Sequence, residues 1–241
     1  MAADRPRILI VKAGSTAEEV RALHGDYDRW FSDAMGAPER FTVVEAFRGE
    51  PLPSPAGFDG VIVTGSPLSV CDPAPWMETA GATLREWVAQ DRAVLGVCFG
   101  HQLLAHALGT PVIKNPRGRE IGTIAVELTA AGRADALFEG LGPTLRVQAT
   151  HTDVASAVPT GTRLLAGNAN TDVQALWFGK RARGVQFHPE LSAGGIQALI
   201  RSRRAVLSSE GLSADEVERA VIPTPDGVSI LKRFEERLIG S

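Results

Sequence analysis

Residues 94–105 read Val94-Leu95-Gly96-Val97-Cys98-Phe99-Gly100-His101-Gln102-Leu103-Leu104-Ala105 and place one cysteine between two glycines. The residues before Cys98 are typical of a buried strand, and those after it of an apolar helix. This is the form of a nucleophile elbow, in which the glycines prevent collisions with the strand and the helix. The turn would lift the sulfur to the carboxyl end of a parallel strand and to a helix amino terminus, which favours the thiolate. The stretch predicts an α/β fold with Cys98 as a candidate nucleophile; on these residues alone, a small buried structural cysteine is the open alternative.

The segments on both sides of this turn extend the α/β pattern. Short apolar runs predict parallel strands at 8–11, 41–46, 59–63 and 93–97, and helical spacing predicts helices at 18–35 and 76–89. Between 111 and 185, turn residues separate candidate strands at 121–128, 145–148, 163–166 and 173–177, which we expect as antiparallel additions. The tail from 193 to 239 returns to helices. We therefore expect one domain over 1–241, with a mostly parallel sheet covered by helices on both faces.

Composition narrows the class of protein. The 241 residues are 44% hydrophobic and 22% charged, which is ordinary globular usage. The 25 Lys and Arg against 28 Asp and Glu give a net charge of −3, so nucleic acid and anionic membranes are not expected partners. Two cysteines predict neither a disulfide framework nor a zinc site, and a reducing cytoplasm is the default location. Neither a signal peptide nor a membrane-spanning run is predicted, and no metal or cofactor is expected.

A candidate base follows far downstream of the cysteine. The run Arg183-Gly184-Val185-Gln186-Phe187-His188-Pro189-Glu190 ends a further strand. Residues two apart in extended chain point the same way, so Glu190 can orient His188 as the base that activates Cys98. Acyl transfer also needs an oxyanion hole, for which we expect the backbone N–H of Phe99 and a second donor in the turn at Gly65.

Four segments together resemble the class I glutamine amidotransferases, the glutaminase family found in GMP synthase, carbamoyl-phosphate synthase and anthranilate synthase. They are Thr64-Gly65-Ser66-Pro67, residues 96–102, Ala149-Thr150-His151-Thr152-Asp153 and residues 184–190. The resemblance implies a flavodoxin-like fold with core motifs over 64–190 and a helical extension over 191–241. It implies that Cys98, His188 and Glu190 form a catalytic triad that cleaves the γ-amide of glutamine through a γ-glutamyl thioester, releasing ammonia and glutamate. It further implies an oxyanion hole at Gly65 and Phe99, and substrate binding by Gln102, Thr150 and His151.

Two departures from the family pattern bear on the oxyanion hole and the pocket. Ser66 stands where the family usually has a second glycine, and Thr150 stands where serine is common. The chain also lacks the G-x-x-x-x-G-K-[ST] loop of a nucleotide-binding synthase. The chain is therefore expected either to dock to a synthase in trans or to hydrolyse a γ-glutamyl amide or peptide by itself. A catalytically silent regulatory role within a synthase is a further alternative. A nucleotide-binding role for the slight Lys12-Ala13-Gly14-Ser15 turn is the weakest.

Several charged segments are expected to be solvated surface. These are the runs 180–183 and 201–204 and the helix face that carries Asp26 and Asp28. Either of the two runs could instead bind an acidic surface of a partner protein. The turn 117–120 is expected either at the rim of the pocket or in a surface loop.

Overall fold

A nine-stranded sheet runs through the computed structural model, which describes residues 5–240. The strands of the described residues are β1 (Ile8–Lys12), β2 (Phe41–Glu45), β3 (Gly60–Val63), β4 (Ala93–Val97), β5 (Val112–Lys114), β6 (Glu120–Leu128), β7 (Thr144–His151), β8 (Asp153–Ala155), β9 (Arg163–Gly167), β10 (Ala175–Gly179) and β11 (Ala182–Val185). The large sheet has the order β2-β1-β3-β4-β11-β10-β9-β6-β7, and β5 pairs with β8 in a small antiparallel sheet. The first five strands in that order are parallel, and the remaining neighbours are antiparallel.

Helices cover the sheet and follow its strands along the chain. They are α1 (Glu18–His24), α2 (Tyr27–Met35), α3 (Pro75–Ala89), α4 (Phe99–Ala107), α5 (Ala130–Arg133), α6 (Ala193–Ser202), α7 (Arg204–Ser209), α8 (Ala214–Arg219) and α9 (Pro225–Arg233). Short 3-10 turns occupy Pro38–Arg40, Ala46–Arg48, Pro55–Gly57 and Ala136–Phe138, and a π-helical turn occupies Phe234–Ile239. None of the helices described is long and apolar enough to cross a membrane.

The buried strands read as continuous apolar runs because both of their faces are covered. Alternate residues of a strand face opposite sides of the sheet. Accordingly, Ile10 of β1 packs in a cluster with Phe31 of α2 and Phe234 of the π-helical turn. Its neighbour Leu9 packs in a second cluster with Trp87 of α3. The expectation of a mostly parallel sheet flanked by helices, with antiparallel additions, is confirmed.

Two details of the predicted elements are wrong. The helix expected over 18–35 is two helices, because Gly25 ends α1 with φ of 78° and the Asp26 carboxylate accepts a hydrogen bond from the first N–H of α2. Strands β5 and β8 were not predicted, since each has only three residues and neither is a long apolar run.

Two charged positions expected at the surface are buried. Asp26 is 6% exposed and lies 3.0 Å from Nζ of Lys12. Arg183 of β11 is 4% exposed, and its Nε donates to both carboxylate oxygens of Asp135 at 2.9 and 3.0 Å. The sequence does not indicate either pairing, because the partners are brought together only by the fold.

The strand order brings three chain segments to one edge of the sheet. β4 lies between β3 and β11, with Gly96 opposite both Val63 and Gly184. Because these strands are parallel, the turn after β3, the turn at Cys98 and the segment after β11 leave the sheet side by side. Residues more than 100 positions apart are thus neighbours at this edge.

Candidate active site

Cys98 occupies a strained turn between β4 and α4. Its φ of 50° and ψ of −101° lie outside the conformations that side chains ordinarily adopt, and its N–H donates to the Val185 carbonyl at 2.8 Å. Both flanking glycines are sterically required. A Cβ on Gly96 would lie 2.7 Å from the Gly100 backbone, and one on Gly100 would lie 2.4 Å from the carbonyl oxygen of Val63. The turn therefore has the geometry of a nucleophile elbow.

His188 and Glu190 meet in the segment that follows β11. Nδ1 of His188 lies 2.7 Å from Oε1 of Glu190, and both side chains are almost completely buried. The His188 N–H donates to the Gln148 carbonyl at 2.8 Å, which fixes the backbone of this segment against β7. Nε2 of His188 has no hydrogen-bond partner among the residues described. That nitrogen is therefore available for proton transfer.

The electrostatics of this pair favour the imidazolium form. Burial by itself would lower the pKa of His188, but the charges of Glu190 and Cys98 raise it to about 10. The influence of Cys98 indicates that the sulfur lies close to the imidazole. A thiolate paired with a charged imidazole is the reactive state of a cysteine nucleophile.

Two glutamine side chains connect the cysteine to the pocket wall. One of them, Gln186, has no role that the sequence predicts. Nε2 of Gln186 lies 3.6 Å from Sγ of Cys98. Nε2 of Gln102 donates to the Gln186 side-chain oxygen at 3.1 Å and to the Asp153 carbonyl at 2.7 Å. Gln102 thus holds β8 against the helix that begins beside the nucleophile.

The two expected oxyanion donors lie at neighbouring strand ends. Phe99 is the first residue of α4, so its N–H has no intrahelical partner. Gly65 lies against the rings of His188 and Tyr27, since a Cβ there would be 2.7 Å from Cε1 of His188 and 3.2 Å from Cε1 of Tyr27. Ser66, which replaces the usual glycine, donates its hydroxyl to the Ala13 carbonyl at 2.8 Å. The side chain of Ser66 therefore fastens this turn to the loop after β1.

A cavity of about 290 Å³ opens beside Cys98. Phe99, Gln102, Thr150 and His151, four of the predicted site residues, line it together with Cys98. It also has three cationic side chains in its lining, Lys114, Arg119 and Arg203. This size is at the lower end for small-molecule sites.

A buried carboxylate supports the wall of this cavity. Glu120 accepts hydrogen bonds from Asn168 at 2.6 Å and from Gln174 at 2.6 Å, and its Oε2 lies 3.0 Å from Nε2 of His151. Burial would raise the pKa of Glu120, but the hydrogen bonds from His151 and Asn168 hold it below its ordinary value. The side chain of His151 is therefore held in place by Glu120 at the cavity wall. Within the segment 117–120, Arg119 lines the cavity, whereas Arg117 is exposed and pairs with Asp172.

The structure brings the predicted residues together at one edge of the sheet. Within the described residues, no group of three or more His, Cys, Asp or Glu side chains is arranged to hold a metal ion.

Replacing Glu190 with glutamine should change the pH dependence of catalysis at this site. The substitution keeps the side-chain volume but removes the charge that raises the pKa of His188, so this pKa should fall. We expect kcat to drop about 100-fold, and the alkaline limb of the kcat/KM profile to move from near pH 10 to lower pH. A pH profile of both proteins measures this, with Glu86→Gln, at an exposed position of α3, as the control. An alkaline limb that stays in place would contradict the role of Glu190.

These features join a cysteine in a strand-to-helix turn to a buried pair of His188 and Glu190, and the chain belongs to the class-I glutamine amidotransferase family. The family model described as glutamine amidotransferase class-I matches residues 41–203. The chain is 27% identical over 241 residues to a glutamine amidotransferase-like protein of Schizosaccharomyces pombe, with 95% of each chain covered. It is 34% identical over 135 residues to one subunit of the glutamine-hydrolyzing GMP synthase of Saccharolobus solfataricus, covering 56% of this chain and 68% of that protein.

Solved structures show the same fold. A glutamine amidotransferase of Thermotoga maritima superposes with a TM-score of 0.76 at 21% identity, covering 98% of this chain and 99% of the other. A glutamine amido transferase of Methylobacillus flagellatus superposes with a TM-score of 0.72 at 24% identity, covering 96% and 92%. The family resemblance drawn from the four sequence segments is confirmed.

Proposed function

We propose that the protein hydrolyses the side-chain amide of glutamine, or the amide of a γ-glutamyl compound, through a thioester on Cys98. The observation that carries the proposal is the pairing of His188 with Glu190 beside a cysteine held in a strained strand-to-helix turn. Family membership supports the same class of reaction. The proposal treats the chain as one catalytic domain that needs neither metal nor cofactor. The two free cysteines fit a cytoplasmic location.

The reaction has two halves that share one proton carrier. The Cys98 thiolate attacks the amide carbon, and the C–N bond breaks as Nε2 of His188 gives its proton to the leaving nitrogen. Ammonia, or an amine, leaves, and the γ-glutamyl group stays on sulfur. A water molecule then attacks the thioester as His188 takes its proton. The C–S bond breaks, glutamate is released and the thiolate is restored.

The residues around Cys98 would supply the other parts of the proposed reaction, namely oxyanion stabilisation, orientation of the base and substrate binding. The N–H groups of Phe99 and Gly65 would donate to the oxyanion that forms in each half-reaction. Glu190 holds His188 in the orientation that leaves Nε2 toward the cysteine. The cavity wall formed by Gln102, Thr150 and His151 would receive the amino-acid end of the substrate.

The fate of the ammonia separates two versions of this function. The similarity to the GMP synthase of Saccharolobus solfataricus supports a synthase that docks in trans and consumes the ammonia. Alternatively, the chain acts alone on γ-glutamyl amides or peptides. A catalytically silent regulatory protein would bind glutamine without cleaving it.

Glutamate release from glutamine and from γ-glutamylglycine tests the proposal directly. We expect the purified protein to release glutamate from at least one of these substrates, with equimolar ammonia or glycine. A preference for γ-glutamylglycine would favour the stand-alone hydrolase, and activation by an added synthase would favour the docked form. Binding of glutamine with no release in either setting would identify the silent regulatory protein and contradict the enzyme.

A further inference from the structure

Arg203 is the one residue of the run 201–204 whose side chain lines the catalytic cavity. It sits at the junction between α6 and α7, where its φ of −101° and ψ of 9° break the helix. Its neighbours make other contacts, because Arg201 pairs with Glu218 and Arg204 pairs with Asp215. The chain direction at this break thus separates Arg203 from the rest of the run.

The charge of Arg203 lacks an anionic partner in the described part of the chain. Its Nη1 is buried and makes no hydrogen bond there. Arg119, which lines the same cavity, is instead matched by Glu210, to which it donates at 2.7 and 2.8 Å. Arg203 is half-buried, and its buried Nη1 has no partner among the described residues, so an anion that enters the cavity would gain an interaction already prepared for it.

Arg203 and Cys98 line the same cavity, so a substrate that reacts at Cys98 brings its other end within that cavity. The scissile amide must lie at Cys98, with its leaving nitrogen toward Nε2 of His188. Cys98, Thr150, Arg119 and Arg203 all line this one cavity. The end of a γ-glutamyl group that points away from the scissile bond is its α-carbon, which carries one carboxylate.

The field of Arg203 also reaches the catalytic side of the cavity. Burial raises the pKa of Tyr27 above its ordinary value, and the charge of Arg203 opposes that rise. The Tyr27 ring lies against Gly65 in the turn after β3. The charge of Arg203 therefore acts on a side chain that adjoins the turn at Gly65.

We propose that Arg203 binds the α-carboxylate of the substrate and so restricts the site to compounds in which this carboxylate is free. Free glutamine and γ-glutamyl compounds fit this requirement, whereas glutamine with its carboxyl group in an amide or peptide bond does not. A planar guanidinium suits the task because it donates two parallel hydrogen bonds to a carboxylate. This inference rests on the function proposed above, since it assigns the substrate to that site.

Binding to the Cys98→Ala protein tests the proposal without turnover. Titration calorimetry would compare L-glutamine with L-glutamine α-amide, which differs in lacking the carboxylate charge. We expect glutamine to bind at least about 10-fold more tightly than the α-amide. Adding Arg203→Gln should weaken glutamine binding by about 10- to 100-fold, leave α-amide binding unchanged, and so abolish the preference.

Two further variants separate charge recognition from a structural effect. Arg204→Gln removes the adjacent guanidinium, which pairs with Asp215 outside the cavity, and should leave both affinities unchanged. Arg203→Lys keeps the positive charge but loses the two parallel N–H donors of the guanidinium. It should therefore retain part of the preference for glutamine. In the Cys98-containing protein, Arg203→Gln should raise KM for glutamine with little change in kcat.

The outcomes distinguish this proposal from the proposed function. Equal weakening of both ligands by Arg203→Gln, or no weakening of either, would overturn the Arg203 assignment while glutamate release by the unaltered protein preserves the function. Absence of both glutamate release and glutamine binding in the unaltered protein would overturn the two together.

Discussion

Replacement of Cys98 by alanine is expected to lower kcat/KM for glutamate release by about 10⁴-fold or more. The substitution removes the atom that forms the thioester, and His188 and Glu190 cannot replace it because they only move and hold a proton. Loss of the nucleophile typically removes nearly all of the benefit of a triad, leaving what binding and oxyanion stabilisation provide. Steady-state glutamate release measures the effect, and the circular dichroism spectrum should be unchanged.

Cys71 offers the matched control for this substitution. It is exposed in the loop after β3, and its Sγ donates to the Val112 carbonyl at 3.3 Å, away from His188. Cys71→Ala should retain nearly full activity. An electrophilic glutamine analogue should modify Cys98 much faster than Cys71, because only Cys98 has an adjacent imidazole. Equal labelling of the two thiols, or full activity without Cys98, would contradict the proposed mechanism.

Gly100→Ala should destabilise the protein by about 3 kcal/mol, despite placing a better helix former in α4. Helix propensity alone favours alanine by about 1 kcal/mol. The new Cβ, however, would lie 2.4 Å from the Val63 carbonyl oxygen and 2.8 Å from its Cβ, so α4 would have to move away from β3. Overpacking of this kind against backbone outweighs the propensity gain. Urea denaturation at 25 °C measures the loss, and activity should fall with it because Cys98 directly precedes the same helix.

Gly57→Ala is the appropriate control for that experiment. Gly57 ends an exposed 3-10 turn, and a Cβ there would have no atom within 4 Å. We expect its free energy of unfolding to change by less than about 1 kcal/mol. If the two alanine variants were equally stable, close packing at the nucleophile turn would not be what requires Gly100.

The sequence predicted the parts of the fold that are governed by local pattern. The runs before Lys12 and Cys98 read as strands because a strand covered on both faces has to be apolar throughout. The break at Gly25 was missed because the apolar spacing continues across it. β5 was missed because three residues are too few to show the alternating pattern of a strand.

The residues of the candidate site also differ in whether local sequence could predict them. Cys98 and its two glycines are adjacent in sequence, so their steric relation is visible there, and the His188 and Glu190 pair follows from extended-chain geometry. Glu120 and Arg203 could not be assigned in this way. Glu120 acts through partners 31 to 54 residues away, and Arg203 looks like its solvated neighbours until the helix break is known.

The sequence by itself determined the strand-to-helix turn at Cys98, the family, and the residues proposed for the triad, because short-range sterics and motif spacing decide these. Only the tertiary structure decided what surrounds that turn. The strand order places the end of β11 beside β4, which lets the charges of Glu190 and Cys98 act on one imidazole. It also pairs Asp26 with Lys12 and Arg183 with Asp135, while Arg203 has no ion-pair partner among residues 5–240. Whether a charged side chain is solvated, paired or held ready for a substrate depends on distances in the folded chain, because both the cost of burial and the gain from a counter-charge are set by those distances.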